Sequence, residues 1–172
     1  MRRADTARKL NENAKPKTAP PNPKRRIKTI FNHFSNILAR IEYALRKGLK
    51  IRCSLEDATR SDVDFAVRFA LEAMKLGERY GRKVSFKLAD TLGLGLPLSE
   101  AEPPRGIPRL VRAFIEAGIS GESLEFHGHN DLGLAVANHL AAWSFGASMS
   151  NCILLGIGER AGNCPLEVIA VT

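Results

Sequence analysis

Leu124-Glu125-Phe126-His127-Gly128-His129-Asn130-Asp131 is the stretch from which the fold is read. Successive side chains of a strand point to opposite faces. Glu125, His127 and His129 therefore share one side, and Leu124, Phe126 and Gly128 share the other. An apolar face toward a core, with titratable groups opposite it at the C-terminal end, is the pattern of a barrel strand that carries a site. A doubly wound sheet buries both faces under helices and reads as near-continuous apolar strands.

The pattern recurs outward from this stretch. Residues 84–91 set Val84, Phe86 and Leu88 against Ser85, Lys87, Ala89 and Thr91, and residues 50–55 set Ile51, Cys53 and Leu55 against Arg52 and Ser54. Residues 151–157 read as a last strand. Between these segments the period lengthens. Ile30, Phe34, Ile37, Leu38, Ile41 and Leu45 predict a helix over about residues 29–47, with Gly48 as its stop. Ser61 is expected to cap a second helix, with Asp64 three residues on. Its buried face is Val63, Val67, Ala70, Leu71 and Met74, and Gly77 or Gly81 ends it. A third helix opens near Pro108, buries Leu110, Val111, Phe114 and Ile115, and stops at Gly118. A fourth covers residues 134–145. Four strands alternating with four helices predict an α/β fold with a parallel sheet. The polar strand faces select a partial (β/α)8 TIM barrel, since a closed one takes roughly 250 residues.

The net charge of +8 is unevenly spread: residues 1–50 hold 14 Lys/Arg and 3 Asp/Glu, whereas residues 51–172 hold 12 and 15. Residues 1–27 combine Pro16, Pro20, Pro21 and Pro23 with Lys, Arg and Asn and show no apolar period. They are expected to form a disordered basic leader ahead of a domain over residues 28–172. The arginines invite comparison with an organellar transit peptide, but no Ser precedes Ser35 and no amphipathic stripe is present. No aromatic residue precedes Phe31, so the leader has nothing on which bases stack, which argues against a nucleic-acid partner. No apolar run approaches the ~20 residues of a membrane span. Cys53, Cys152 and Cys164 are odd in number and at no zinc-finger spacing, which reads as free thiols in a reducing cytoplasm.

His127 and His129, about 6–7 Å apart along one strand face, are placed to grip one divalent cation. Taken alone, the pair fits two polar rim histidines without an ion at least as well. His33 and His139 sit on helices at unrelated spacing and are expected at the surface. The glycine-rich loop over residues 156–163 lacks the order of a dinucleotide site and the Lys-Ser/Thr of a P-loop. Its last residue, Asn163, offers an oxygen to a hard metal. Arg60 presents a planar donor fork suited to a carboxylate, and Thr91 a hydroxyl at the next strand end. Each has an ordinary reading too: Arg60 as ion-pair partner of Glu56 or Asp57, Thr91 as a loop cap. All these groups fall at successive strand C-terminal ends, where a barrel builds its site.

In this order and spacing, LEDATRSD, LADTLGLG, EFHGHNDLGLAVAN and GIGERAGN resemble the second half of the pyruvate-carboxyltransferase-type, or HMG-CoA-lyase-like, barrel. That family includes 2-isopropylmalate, homocitrate, citramalate and Re-citrate synthases, with HMG-CoA lyase more distant. The match covers roughly residues 36–172, and DTLGLGLP followed by PPRGIPRLVRA is similar to the Re-citrate branch. The resemblance implies that His127 and His129 ligate a divalent metal (Mg, Mn or Zn), with Asn163 as a direct or water-mediated ligand. It implies that Arg60 and Thr91 hold a 2-oxo acid, which condenses with acetyl-CoA before the thioester is hydrolysed. The family's first strand carries an Asp-Arg-Glu signature that supplies a further ligand, and nothing in residues 1–50 resembles it. The chain is therefore expected to act as a homo-oligomer, with a complementing N-terminal half, or as a non-catalytic half-barrel.

Overall fold

Phe86, Leu88 and Phe126 are the largest apolar side chains on the second and third strands, and none is exposed to solvent. Burying each contributes about 1.5–3 kcal/mol, enough to fix which face of the sheet meets the helices. In a computed structural model, the chain is described from residue 23 to residue 172, with side chains from Asn32 onward. It divides into two units, Met1–Ser35 and Asn36–Thr172.

The described helices and strands are α1 (Pro23–Arg46), β1 (Ile51–Leu55), α2 (Val63–Arg79), β2 (Val84–Asp90), α3 (Ile107–Glu116), β3 (Leu124–Gly128), α4 (Ala135–Ser144), β4 (Met149–Ser150) and α5 (Leu166–Ile169). The strands form one sheet in the order β1-β2-β3-β4, each parallel to the next, with Cys53 opposite Phe86, Phe86 opposite Leu124 and Phe126 opposite Ser150. The expected alternation of faces holds. Val84, Phe86, Leu88, Leu124 and Phe126 are buried with Leu110, Val111 and Phe114 of α3 and Ala135 and Ala142 of α4. The opposite face carries Arg52, Ser54, Ser85, Lys87, Glu125 and His127. There Arg52 donates to the buried Glu125 carboxylate at 2.8 Å.

Several boundaries differ from the sequence expectation, each for a local reason. Helix α1 begins at Pro23 rather than near residue 29: proline suits a first helical turn, and the apolar period marks a buried face but not the helix end. Of the leader expected over residues 1–27, residues 1–22 lie outside the described residues. In the second unit Ile41 and Leu45 of α1 are buried while Ile37 is 47% exposed, and Tyr80 donates to Glu42 at 2.7 Å. Asp62, and not Ser61, caps α2 by accepting from the Phe65 amide at 2.9 Å. Ser61 instead donates to the Asp57 carbonyl.

The last strand is Met149–Ser150 and not residues 151–157. The chain leaves β3 after two paired residues, and Leu154–Gly156 form a 3-10 turn with Leu155 at φ 58°. In the apolar run Ile153-Leu154-Leu155 only Ile153 pairs, in a single bridge to Pro165, before the chain turns. No helix among the described residues is long and apolar enough to cross a membrane.

Helix α2 runs through Gly77 to Arg79, and its buried residues are Phe69, Ala70, Ala73 and Gly77. Small residues at four-residue spacing let this helix lie close to the entry of β2. A Cβ on Gly77 would stand 2.5 Å from the Arg82 carbonyl oxygen and 2.9 Å from Val84 Cγ2. Alanine is the better helix former by about 1 kcal/mol, yet overpacking against backbone costs about 1–3 kcal/mol. Gly77→Ala is expected to lower the urea midpoint; an increase would mean that α2 does not press on this turn.

Candidate metal centre at the strand ends

The site end of the sheet is organised by the Asp90 carboxylate, at the end of β2 and fully buried. It accepts from Thr59 Oγ1 at 2.6 Å and from the Leu94 and Gly95 amides at 2.9 and 2.8 Å. The Asp90 carbonyl accepts from the His129 amide at 3.2 Å. Gly93 carries the loop between them at φ 62°, and a Cβ there would meet the Asp131 amide and the His129 carbonyl within 3 Å. A side chain at position 93 would push this loop off the histidine strand.

His127 and His129 leave β3 toward the same region, with ring centroids 5.0 Å apart and planes at 82°. His129 is buried, and its backbone pairs with Asn163 in an antiparallel bridge. The Asn130 amide donates to the Gly162 carbonyl at 2.9 Å, so two short contacts hold the residue 156–163 loop beside the histidines. His129 Nδ1 and Asn163 Oδ1 are buried and have no hydrogen-bond partner. Buried polar atoms are nearly always paired, and an imidazole nitrogen and an amide oxygen left open on two bridged residues have the donor chemistry of a site for a borderline or hard divalent cation. The residues therefore fit the metal that the motif implies. His127 points Nδ1 at the Asn151 carbonyl, 3.5 Å away, so Nε2 is the ring atom left for a cation to approach. Burial, with Lys87 and His129 nearby, holds the His127 imidazole below its ordinary pKa, against the opposing contact to Asn151. The neutral ring is the form that ligates.

Arg60 and Thr91 meet through Asp57. The Asp57 amide donates to Thr91 Oγ1 at 2.7 Å, and Arg60 Nε donates to the Asp57 carboxylate at 2.9 and 3.0 Å. Both ordinary readings are thus realised: Arg60 is an ion-pair partner of Asp57 and Thr91 caps the loop. Asp57 itself is left-handed, at φ 59°, a conformation that Asp tolerates better than most residues.

Arg160 with Asp131, Glu56 and His139 take places that the sequence did not give them. Arg160 donates to Asp131 at 2.7 and 2.9 Å and to the Thr91 carbonyl at 2.7 Å, clasping the loops after β2, β3 and β4. Glu56 accepts from Ser54 at 2.5 Å and from Thr91 at 3.2 Å. The Ser54 contact, with Thr91, Lys87 and His127, holds its carboxyl below the ordinary range. His139, expected at the surface, is fully buried. Its Nε2 accepts from the amide of Gly128, between the two histidines, at 3.1 Å, and its ring stands edge-on to Phe126. A signal was present: Ala135, Asn138, His139 and Ala142, all buried on α4, follow the spacing of a core-facing stripe. His33 is exposed, as expected.

The profile of the HMGL-like family matches residues 24–172. The chain is similar to the citrate (Re)-synthase of Syntrophus aciditrophicus, 44% identical over 133 residues that cover 76% of this chain and 21% of that protein. It is similar to the 2-phosphinomethylmalate synthase of Streptomyces hygroscopicus, 42% identical over 139 residues covering 80% and 32%. It is also similar to the homocitrate synthase of Sulfurisphaera tokodaii, 40% identical over 136 residues covering 78% and 27%. The chain thus spans about a fifth to a third of the length of these curated relatives. Among solved structures it is similar to hydroxymethylglutaryl-CoA lyase from Pseudomonas aeruginosa, with a TM-score of 0.64 and 20% identity over 83% of this chain and 47% of that one. That likeness concerns the fold: an α/β sheet of four parallel strands that matches part of a TIM barrel.

Burial pushes the His139 pKa from an ordinary 6.5 down to about 4. Between these values the unfolded chain binds the proton and the folded one does not. Stability should therefore be fully present above pH 6.5 and fall as pH drops toward about 4. Thermal unfolding followed from about pH 7.5 to about pH 4.5 checks this. His139→Gln retains an acceptor for Gly128 and should flatten the slope; an unchanged slope would remove His139 as its source.

Proposed function

Since the chain belongs to the HMGL-like family, we propose that it is the metal-binding half of an enzyme that condenses acetyl-CoA with a 2-oxo acid, built as the last four β/α units of a (β/α)8 barrel. Relatives named citrate (Re)-synthase, 2-isopropylmalate synthase and homocitrate synthase, each about 40% identical over part of their length, support this class. The observation that carries it is the convergence of His127, His129 and Asn163, with two buried ligand atoms left open.

His127 Nε2, His129 and Asn163 Oδ1 hold the cation in this reading. A bound divalent ion supplies Lewis-acid polarisation of the 2-oxo acid carbonyl. The Asn151 carbonyl orients the His127 imidazole from outside. Arg60 turns its fork from Asp57 to the substrate carboxylate, an exchange of one carboxylate for another at an exposed position. Thr91, fixed by Asp57 and Glu56, places its hydroxyl beside it. Glu56 remains ionised at neutral pH and balances Lys87, 3.9 Å away.

The sheet favours a complementing partner over action by one copy. Among the described residues β1 and β4 each pair on one side only, and Leu154, Leu155, Ile157 and Leu166, all beyond β4, are 49–68% exposed. Strand edges and apolar surface of this kind are normally covered. A half-barrel kept for binding alone is the competing reading, which the same unpaired edges favour if no partner restores turnover.

Calorimetric titration with Mn²⁺ tests the centre. Wild type is expected to bind at least about ten-fold more tightly than a His127→Ala/His129→Ala protein, and equal binding would remove the assignment. Activity is a separate measurement. With the first half of a homocitrate synthase supplied in trans, CoA release from acetyl-CoA and a 2-oxo acid is expected, while the chain alone releases none. No release in either mixture, with Mn²⁺ binding intact, would favour the binding module.

A further inference from the structure

Cys152 and Cys164 lie side by side. Ile153 and Pro165 form a parallel bridge, and the Ile153 amide donates to the Cys164 carbonyl at 3.0 Å. Residues 152 and 164 therefore occupy neighbouring positions one step before that bridge. Adjacent extended segments run about 4.8 Å apart, inside the roughly 4.4–6.8 Å between Cα atoms that a disulfide spans. The two Sγ atoms and His139 Nδ1 lie within 4.8 Å of one another. Both cysteines are thiols; Cys164 is buried and Cys152 half-buried. A reagent thus has its entry at Cys152.

The same three atoms have the spacing of a metal site, but His139 is committed elsewhere. Its Nε2 accepts from a backbone amide, so its one proton sits on Nδ1, facing Ser150 Oγ at 3.0 Å and Cys152 Sγ at 3.8 Å. A protonated ring nitrogen has no lone pair for a cation. The geometry points to a thiol pair: we propose that Cys152 and Cys164 close an intramolecular disulfide by exchange with a small-molecule disulfide. The bond locks the chain leaving β4 to the segment that carries Asn163.

The exchange balances in two steps. Cys152, as thiolate, attacks one sulfur of the reagent and expels the first thiol. Cys164 then gives up its proton and attacks the Cys152 sulfur, expelling the second. Two protein thiols and one disulfide become one protein disulfide and two small thiols. The ring enclosing residues 152–164 contains the whole glycine-rich loop, so its freedom in the unfolded chain falls.

The test uses the full chain and oxidised glutathione, with remaining thiols then capped by iodoacetamide. Peptide mass mapping is expected to find residues 152 and 164 linked with the loss of two hydrogens, and Cys53 capped. Linkage should form at least ten-fold faster in buffer than in denaturing urea, because the fold and not the short sequence separation brings the sulfurs together. Cys164→Ser should stop at a glutathione adduct on Cys152. The thermal midpoint of the oxidised wild type should rise by about 4 °C or more, with no rise in Cys164→Ser. A persistent glutathione adduct on wild-type Cys152, equal linkage of Cys53, or equal rates in buffer and urea would each overturn the proposal.

Discussion

The buried carboxylate of Asp90 is the constraint from which the site end of this protein follows. A polar group buried away from water costs free energy unless hydrogen-bond donors surround it. Here the donors come from two different loops: Thr59 after β1, and Leu94 and Gly95 after β2. The same residue's carbonyl receives the His129 amide from the strand beyond. One side chain and its peptide oxygen thus set the relative height of three neighbouring loops. Arg160 repeats the device nearer the solvent, tying Asp131 to the Thr91 carbonyl. The inner tie is made of buried hydrogen bonds, and the outer one of an exposed ion pair that solvent screens.

The two faces of the sheet divide the work. The apolar face presses Phe86, Leu88 and Phe126 into the core and fixes the strands. The opposite face carries groups that core packing leaves free to vary in chemistry: Arg52 with Glu125, Lys87 with Glu56, and His127. His139 connects the two faces from within the core. Its single acceptor nitrogen holds the Gly128 amide, and so fixes the backbone between two side chains that point the other way. Its position near the histidine pair is therefore mechanical, a matter of strand placement rather than of ligation.

Much of this was legible in residue order. Alternation in residues 84–91 and 124–129 placed the faces correctly, because each strand has one face against helices and the other outside the core. Strand ends gather at one edge of a parallel sheet, and there the His127 and His129 rings lie 5.0 Å apart and His129 bridges Asn163 through the backbone. The fourth strand, expected over residues 151–157, lies just before them at Met149–Ser150, because Ile153-Leu154-Leu155 has strand composition whereas pairing depends on available neighbours, which a local pattern does not report. His139 is polar yet sits on the buried α4 stripe with Ala135, Asn138 and Ala142, so its polarity alone points to the wrong side of the helix. Arg160, Asp131 and Glu56 act through partners up to 69 residues away, and no local spacing announces such a contact.

The order of strands in the sheet is the order of strands in the chain, and this has a bearing on synthesis. A nascent chain can lay down β1, then β2, then β3, each against the strand just made, without waiting for a distant partner. The Asp90 cluster needs nothing beyond Gly95 and can be satisfied early. The histidines follow with β3, and only when Asn163 has emerged does its bridge to His129 close the centre. Because domains emerge N-terminal end first, the Asp90 cluster can form before the loop that carries Asn163 has been made.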